Sequence, residues 1–157
     1  MSIYVTGDIH GYVDYMRLGS TIADHVLTKE DYVIILGDFG VLWDNKPSMA
    51  EQQLIGWLNA CPFTLLFIDG NHENFTRLNK LQSVEKFGGS VGKLTNSIYH
   101  LKRGEIYTIC GKKILTIGGA LSIDKHNRID GLSWWKEEEL SFAEQEHTLQ
   151  NIEKHKH

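Results

Sequence analysis

Three short apolar runs recur in the first half of the chain, and each breaks off at once into glycine and polar side chains. They are Ile3-Tyr4-Val5-Thr6 before Gly7-Asp8, Tyr32-Val33-Ile34-Ile35-Leu36 before Gly37-Asp38, and Leu65-Leu66-Phe67-Ile68 before Asp69-Gly70-Asn71-His72. Apolar runs of this length, without alternation, fit strands covered on both faces, as in a parallel sheet. Between them the apolar spacing changes to three and four. Tyr15, Leu18, Ile22 and Val26 predict a helix over residues 13–27, with its Met and aromatic residues in the core, and Met49, Leu54, Trp57 and Leu58 predict another over 48–59. Strand, helix, strand, helix, strand in this order implies right-handed crossovers and an α/β layered domain.

The second half changes character. Ser97 to Leu101, Glu105 to Cys110 and Lys113 to Gly118 read as strands, separated by Lys102-Arg103-Gly104 and Gly111-Lys112 as tight turns. That pattern predicts a hairpin or meander in a second sheet. A last helix is expected from about Lys136 to Lys154, where three glutamates suit a helix N-terminus. Gly88-Gly89-Ser90-Val91-Gly92-Lys93 imitates a nucleotide-binding loop. Phe87 and Leu94 stand where that motif needs a glycine and a Ser or Thr, so the stretch is read as a turn.

At 157 residues the chain fits one domain, 1–157, and can bury a real core. With 41% hydrophobic and 23% charged residues it reads as an ordinary globular protein rather than a disordered or fibrous one. A net charge of −4 gives no basic footprint, which disfavours a general nucleic-acid binder, while a nucleic acid stays open as a substrate. The two cysteines, Cys61 and Cys110, lack metal-type spacing and cannot form a secreted-type disulfide framework, so a cytoplasmic location is expected. The start lacks the pattern of a signal peptide, and no stretch reaches the ~18 apolar residues of a membrane span.

Candidate chemistry sits at the three strand ends, where an open α/β sheet gathers its ligands. Asp8 and His10 follow the first strand, Asp38 the second, Asn71 and His72 the third. In Asp8-Ile9-His10 the alternation lets both polar side chains face one way while Ile9 turns to the core. Mixed oxygen and imidazole donors suit Mn, Fe or Zn. Two such metals ~3.5–4 Å apart can clamp a phosphoryl group, and Asp38 is the candidate to bridge them.

Taken in order, Gly-Asp-Ile-His-Gly, Gly-Asp-Phe-Gly and Gly-Asn-His-Glu, each after an apolar strand, resemble the signature of the calcineurin-like metallophosphoesterase superfamily. The resemblance implies a layered α/β sheet sandwich flanked by helices. It further implies a divalent two-metal phosphoesterase that hydrolyses a phosphate ester through metal-activated hydroxide. On matching positions Asp8 and His10 bind the first metal, Asp38 bridges, Asn71 binds the second, and His72 serves the leaving oxygen. The middle motif, Gly37-Asp38-Phe39-Gly40-Val41-Leu42-Trp43-Asp44, lacks the arginine of the protein-phosphatase branch. Gly118-Gly119-Ala120-Leu121-Ser122-Ile123-Asp124 and Trp134-Trp135 instead resemble bacterial and phage phosphoesterases, which places Ser122, Asp124 and Arg128 near the substrate. The alternative is a capped loop with the tryptophans packed as core.

The family normally continues to further histidine ligands in a Gly-His-x-His motif. The chain is therefore expected to be the amino-terminal part of a full domain, C-terminally truncated, with one weakly bound metal and impaired activity. His155 and His157 repeat the His-x-His spacing, but they lack the preceding glycine and are read as a solvated tail. The open sheet edge is expected to favour self-association or a partner. The rival readings are a non-catalytic remnant that keeps the fold, and a nuclease acting on phosphodiesters.

Overall fold

The computed structural model describes residues 1–19 and 26–156. Its centre is a six-stranded mixed sheet made of β1 (Ile3–Thr6), β2 (Tyr32–Leu36), β3 (Thr64–Ile68), β4 (Gln82–Lys86), β5 (Gly89–Lys93) and β6 (Ile98–Leu101), in the order β1-β2-β3-β6-β5-β4. β1, β2, β3 and β6 run parallel, and β5 and β4 add antiparallel at one side. A separate two-stranded hairpin joins β7 (Ile106–Ile109) to β8 (Lys112–Leu115).

Both faces of the central strands are buried, as their unbroken apolar runs require. Val33, Ile35, Leu65 and Phe67 enter one core cluster, and Ile34 and Leu66, the alternate residues, enter the other. β1 departs from this pattern. It lies at the sheet edge with Val5 64% exposed, so the two-faced burial read for all three runs holds only for β2 and β3.

Helix α1 (Met49–Ala60) starts at Ser48, whose hydroxyl accepts from the Glu51 amide at 3.1 Å. Leu54 and Leu58 face the core. At its other end the Lys29 ammonium donates to the carbonyls of Asn59, Cys61 and Phe63, supplying the positive charge that the last turn lacks. A one-turn helix, α2 (Phe75–Leu78), follows β3, and its Arg77 makes a two-pronged pair with Glu51 at 2.5 and 2.6 Å.

The helix read over 13–27 is turn through residue 15 and helical at 16–19, and Ile22 lies outside the described residues. Leu18 is buried and Tyr15 packs edge-on against Trp57. Tyr15 thus packs on the core as expected, but Met16 is exposed and its core assignment is corrected; Val26, on the expected apolar face, is exposed as well. The Gly88–Lys93 stretch is corrected as well. Only Phe87 and Gly88 form the turn, both at positive φ as a two-residue hairpin demands, and Gly89 to Lys93 is strand β5. The expected second sheet exists as β7–β8, but β6 joins the main sheet instead, beside β3.

The last helix, α3 (Phe142–Lys154), begins six residues later than the glutamates suggested. Ser141 caps it in a reciprocal box with Glu144, and Lys136–Glu138 is a separate 3-10 turn. Among the described residues no helix is long and apolar enough to cross a membrane.

Leu65, fully buried as the second residue of β3, bridges sheet and helices. Leu65→Ala is expected to cost about 2–5 kcal/mol, read as a lower urea midpoint at unchanged slope. A loss well under 1 kcal/mol would show that this core closes over the cavity.

Candidate metal centre

The parallel register sets Thr6 beside Ile35 and Leu36 beside Ile68, so the loops after β1, β2 and β3 leave the sheet side by side. Backbone hydrogen bonds then lace them together. The amides of Ile9 and His10 donate to the Asp38 carbonyl at 3.2 and 2.9 Å, and the Gly11 amide donates to Phe39 at 2.9 Å. The approach is so close that a Cβ on Gly11, at φ +57°, would sit 2.7 Å from the Gly40 carbonyl oxygen. His10 and Asp38 both occupy the left-handed region, at φ 45° and 36°. Non-glycine residues pay of order 1–2 kcal/mol there, and such strain concentrates at functional sites.

These constraints gather the side chains. His10 Nε2 lies 3.4 Å from Asp8 Oδ2 and 3.7 Å from Asp38 Oδ2, and one donor atom from each of the three residues falls within 4.8 Å of the others. Asp8 is exposed and His10 half-buried, while the Asp38 side chain keeps 12% of its exposure. Asp38 Oδ1 accepts the His72 amide at 2.8 Å, which turns Oδ2 toward His10. Among the described residues both carboxylates approach the His10 ring and neither pairs with a lysine or arginine. Two carboxylates and an imidazole, one carboxylate nearly out of water and without a cationic partner, fit a divalent cation as the missing positive charge.

Asn71 reaches the same place from β3. Its amide nitrogen donates to Ser122 Oγ at 3.0 Å, leaving the side-chain carbonyl oxygen as the available ligand atom. Asp8, Asp38 and Asn71 line one cavity of about 310 Å³ together with Gly37, Gly70 and Gly118. His72 is half-buried, packed on Trp43 with ring centroids 5.8 Å apart and edge-on to His10 at 5.2 Å. Burial lowers its imidazole below the ordinary value. Asp38 opposes that shift, and Arg128 and His10 reinforce it.

Of the three residues placed near the substrate, Ser122 is buried. It touches Asn71 on one side, and on the other its amide and hydroxyl donate to Glu138 at 2.8 and 2.6 Å. Arg128 faces His72, with Nη2 3.1 Å from Nε2, and Asp124 holds the Arg128 Nε at 3.0 Å. Trp135 is core, its indole donating to Thr76, while Trp134 lies half-buried under Lys125. The loop is therefore both a packed structure and a neighbour of the site. His155 ends α3 with its ring on the Asn151 carbonyl, and His157 lies outside the described residues.

Sequence reasoning assigned no role to the residues that support this centre. Glu73 is buried and takes the Phe39 amide at 2.6 Å and the Gly40 amide at 3.2 Å. Asp69 is buried between His100 at 2.8 Å and Arg103 at 2.7 Å. Burial works against its charge, but these two partners hold it below the usual carboxylate range. Its backbone carbonyl takes the Gly119 amide, and Arg103 goes on to the Glu138 carbonyl at 3.3 Å. The available signal was position: Asp69 and Glu73 flank Asn71 and His72 inside the third motif, while Glu138 was hidden in a run of glutamates.

A family model for calcineurin-like phosphoesterases matches residues 1–156. No curated protein and no solved structure matches the chain.

A Cβ on Gly70 would overlap the Asp38 carboxylate and stand 2.5 Å from its amide nitrogen. Gly70→Ala is therefore expected to weaken Mn binding about 10–100-fold, as loss of a supporting contact does at metal sites. Calorimetric titration of the folded variant measures it, and unchanged affinity would mean Asp38 does not need its position.

Proposed function

The chain belongs to the calcineurin-like phosphoesterase family, and we propose that it is a metal-dependent phosphoesterase whose ligands are Asp8, His10, Asp38 and Asn71. Members of this family bind divalent metals and act on phosphate esters. The observation that carries the reading is the convergence of Asp8, His10 and Asp38 within 4.8 Å at the ends of adjacent parallel strands. Manganese is the metal we infer from the donor set, with iron and zinc as the alternatives.

Asp8 and His10 would hold one ion, Asp38 would share it with a second position, and the Asn71 carbonyl oxygen would complete that position. When bound, the metal neutralises phosphate charge and activates water. His72 stands beside the ligand Asn71 with its ring turned to the same cluster, where Nε2 can deliver a proton to the leaving oxygen. Ser122 and Glu138 keep the Asn71 amide from turning over, so the carbonyl oxygen stays toward the cavity.

The same reading takes residues 1–157 as one domain, because β1, β2, β3 and β6 each contribute to both core clusters. Cys61 and Cys110 are both free thiols, which fits a reducing cytoplasm. Self-association belongs to the proposal too. β1 ends the main sheet, and Val5, Leu36, Leu115 and Ile117 are exposed apolar residues.

The expected result is Mn-dependent hydrolysis of an aryl phosphate, abolished by a chelator. Asp38→Asn should lower kcat/KM by about 100-fold or more, beyond the 10–100-fold typical of outer contacts. No turnover with Mn, Fe, Zn or Ni, together with weak binding of a single ion, would sink the enzyme reading in favour of a fold that is kept without catalysis.

A further inference from the structure

The segment after β8 reaches the metal centre at Ser122 and again through one long side chain. It makes a 3-10 turn at Lys125–Asn127, and the residue closing that turn, Arg128, points inward. The Arg128 side chain keeps 13% of its exposure, against 51% for the Asp124 that braces it. Nε pairs with Asp124 Oδ1 at 3.0 Å and Nη1 donates to the Ser133 carbonyl at 3.3 Å. Both partners belong to the same loop, so they fix the direction of the guanidinium. The remaining contact, from Nη2 to His72 Nε2 at 3.1 Å, is of another kind.

A guanidinium only donates, so in this contact the ring nitrogen is the acceptor. A ring nitrogen is a weaker partner for a full positive charge than an anionic oxygen, and the planar fork of arginine matches phosphate. Arg128 thus stands against the metal centre, stiffly aimed, with one donor on a partner that phosphate can displace.

We propose that Arg128 binds the substrate phosphate by exchanging His72 for a phosphate oxygen, and that this contact makes the site prefer phosphate monoesters to diesters. The proposal rests on the phosphoesterase reading above. A monoester presents three oxygens free of carbon, and a diester only two. A directed guanidinium beside divalent metal gives the third oxygen a partner, and in a diester that oxygen is alkylated and a poor acceptor. Asp124 offsets the guanidinium's overall charge, so discrimination comes from the aimed N–H rather than from a general positive field. The exchange also frees the lone pair of His72 Nε2 to take up a proton from water, which this nitrogen needs before it can give one to the leaving oxygen.

The test compares the Mn-loaded native chain with Arg128→Ala and Arg128→Lys. Calorimetry measures binding of inorganic phosphate and of dimethyl phosphate, and turnover is followed on an aryl monoester and a bis-aryl diester. Arg128→Ala should weaken phosphate binding on the order of 10- to 100-fold, the worth of one hydrogen bond to a charged group. Dimethyl phosphate binding and diester turnover should change less than about threefold, and Lys should recover part of the loss because it keeps charge without the planar fork. Unchanged Mn affinity and thermal midpoint exclude a folding defect, and the Lys variant carries the comparison if Ala does not fold.

Native-like phosphate binding by Arg128→Ala, equal losses on both esters, or no phosphate binding by the native chain would each overturn the proposal. A native chain that binds phosphate through Arg128 but hydrolyses neither ester would keep the proposal and remove the phosphoesterase reading. Turnover that survives with phosphate affinity unaltered in Arg128→Ala would do the reverse.

Discussion

The carboxylate of Glu73 is the hinge pin of the centre. It comes from the loop after β3 and takes the amides of Phe39 and Gly40 from the loop after β2. That loop in turn offers its carbonyls at Asp38 and Phe39 to the amides of Ile9, His10 and Gly11. The third strand tip therefore holds the second, and the second holds the first. Burial and the nearby Asp69 push Glu73 well above the ordinary carboxylate value, and the Gly40 and Phe39 amides pull it back. A polar group so deep in the protein is tolerable only because its acceptors are used. The left-handed backbone at His10 and Asp38 persists for the same reason: the surrounding hydrogen bonds leave those residues nowhere else to go.

A second support approaches from the other side. Asp69, Arg103, Glu138 and Ser122 form a continuous buried chain that ends on Asn71. Its members come from the loop just after β3, from the turn after β6 and from the segment before α3. The later half of the chain thus decides how Asn71, a candidate ligand presented by the earlier half, is turned. Such networks stiffen a site when every member is satisfied, and they fail as a unit when one is removed. Asp8, by contrast, is exposed, so the centre is rigid on the Asp38–Asn71 side and open on the other.

What the sequence could reveal follows from which interactions are local. β2 and β3 are legible because burial on both faces leaves an unbroken apolar run, and their glycine-polar ends mark where the chain turns out of the sheet. Asp8, His10, Asp38 and Asn71 are legible by type and order, and the register of β1, β2 and β3 brings them together. The pairing of β6 with β3 is not legible, since it joins residues more than thirty apart and the local pattern says only that a strand exists. β5 was obscured by its glycines, which mimic a turn while Val91 and Gly92 are in fact packed inside. Met16 and Val26 show a further limit: helical spacing was read as a core face, yet both side chains are exposed. Glu138 was misread because a glutamate before a helix usually greets its N-terminus, whereas here Ser141 already fills that role and Glu138 is free to turn inward.

The division of labour has a consequence for specificity. The groups placed to hold metal stand on short loops clamped by backbone hydrogen bonds, where a Cβ on Gly11, Gly40 or Gly70 would press on a neighbour's main chain. Arg128 and Asp124 instead sit on a longer segment that, past the Gly119 amide on the Asp69 carbonyl, reaches the centre by side chains: Ser122 to Asn71 and Arg128 to His72. Leu121, Ile123, Ile129 and Leu132 on that segment are exposed and bear no part of the clamp. Substitution there, Ser122 apart, alters what the segment presents to the cavity while leaving Asp8, His10 and Asp38 where Glu73 and the sheet register put them. A fold arranged this way keeps one chemistry and varies its substrate, because the two are carried by separate pieces of backbone.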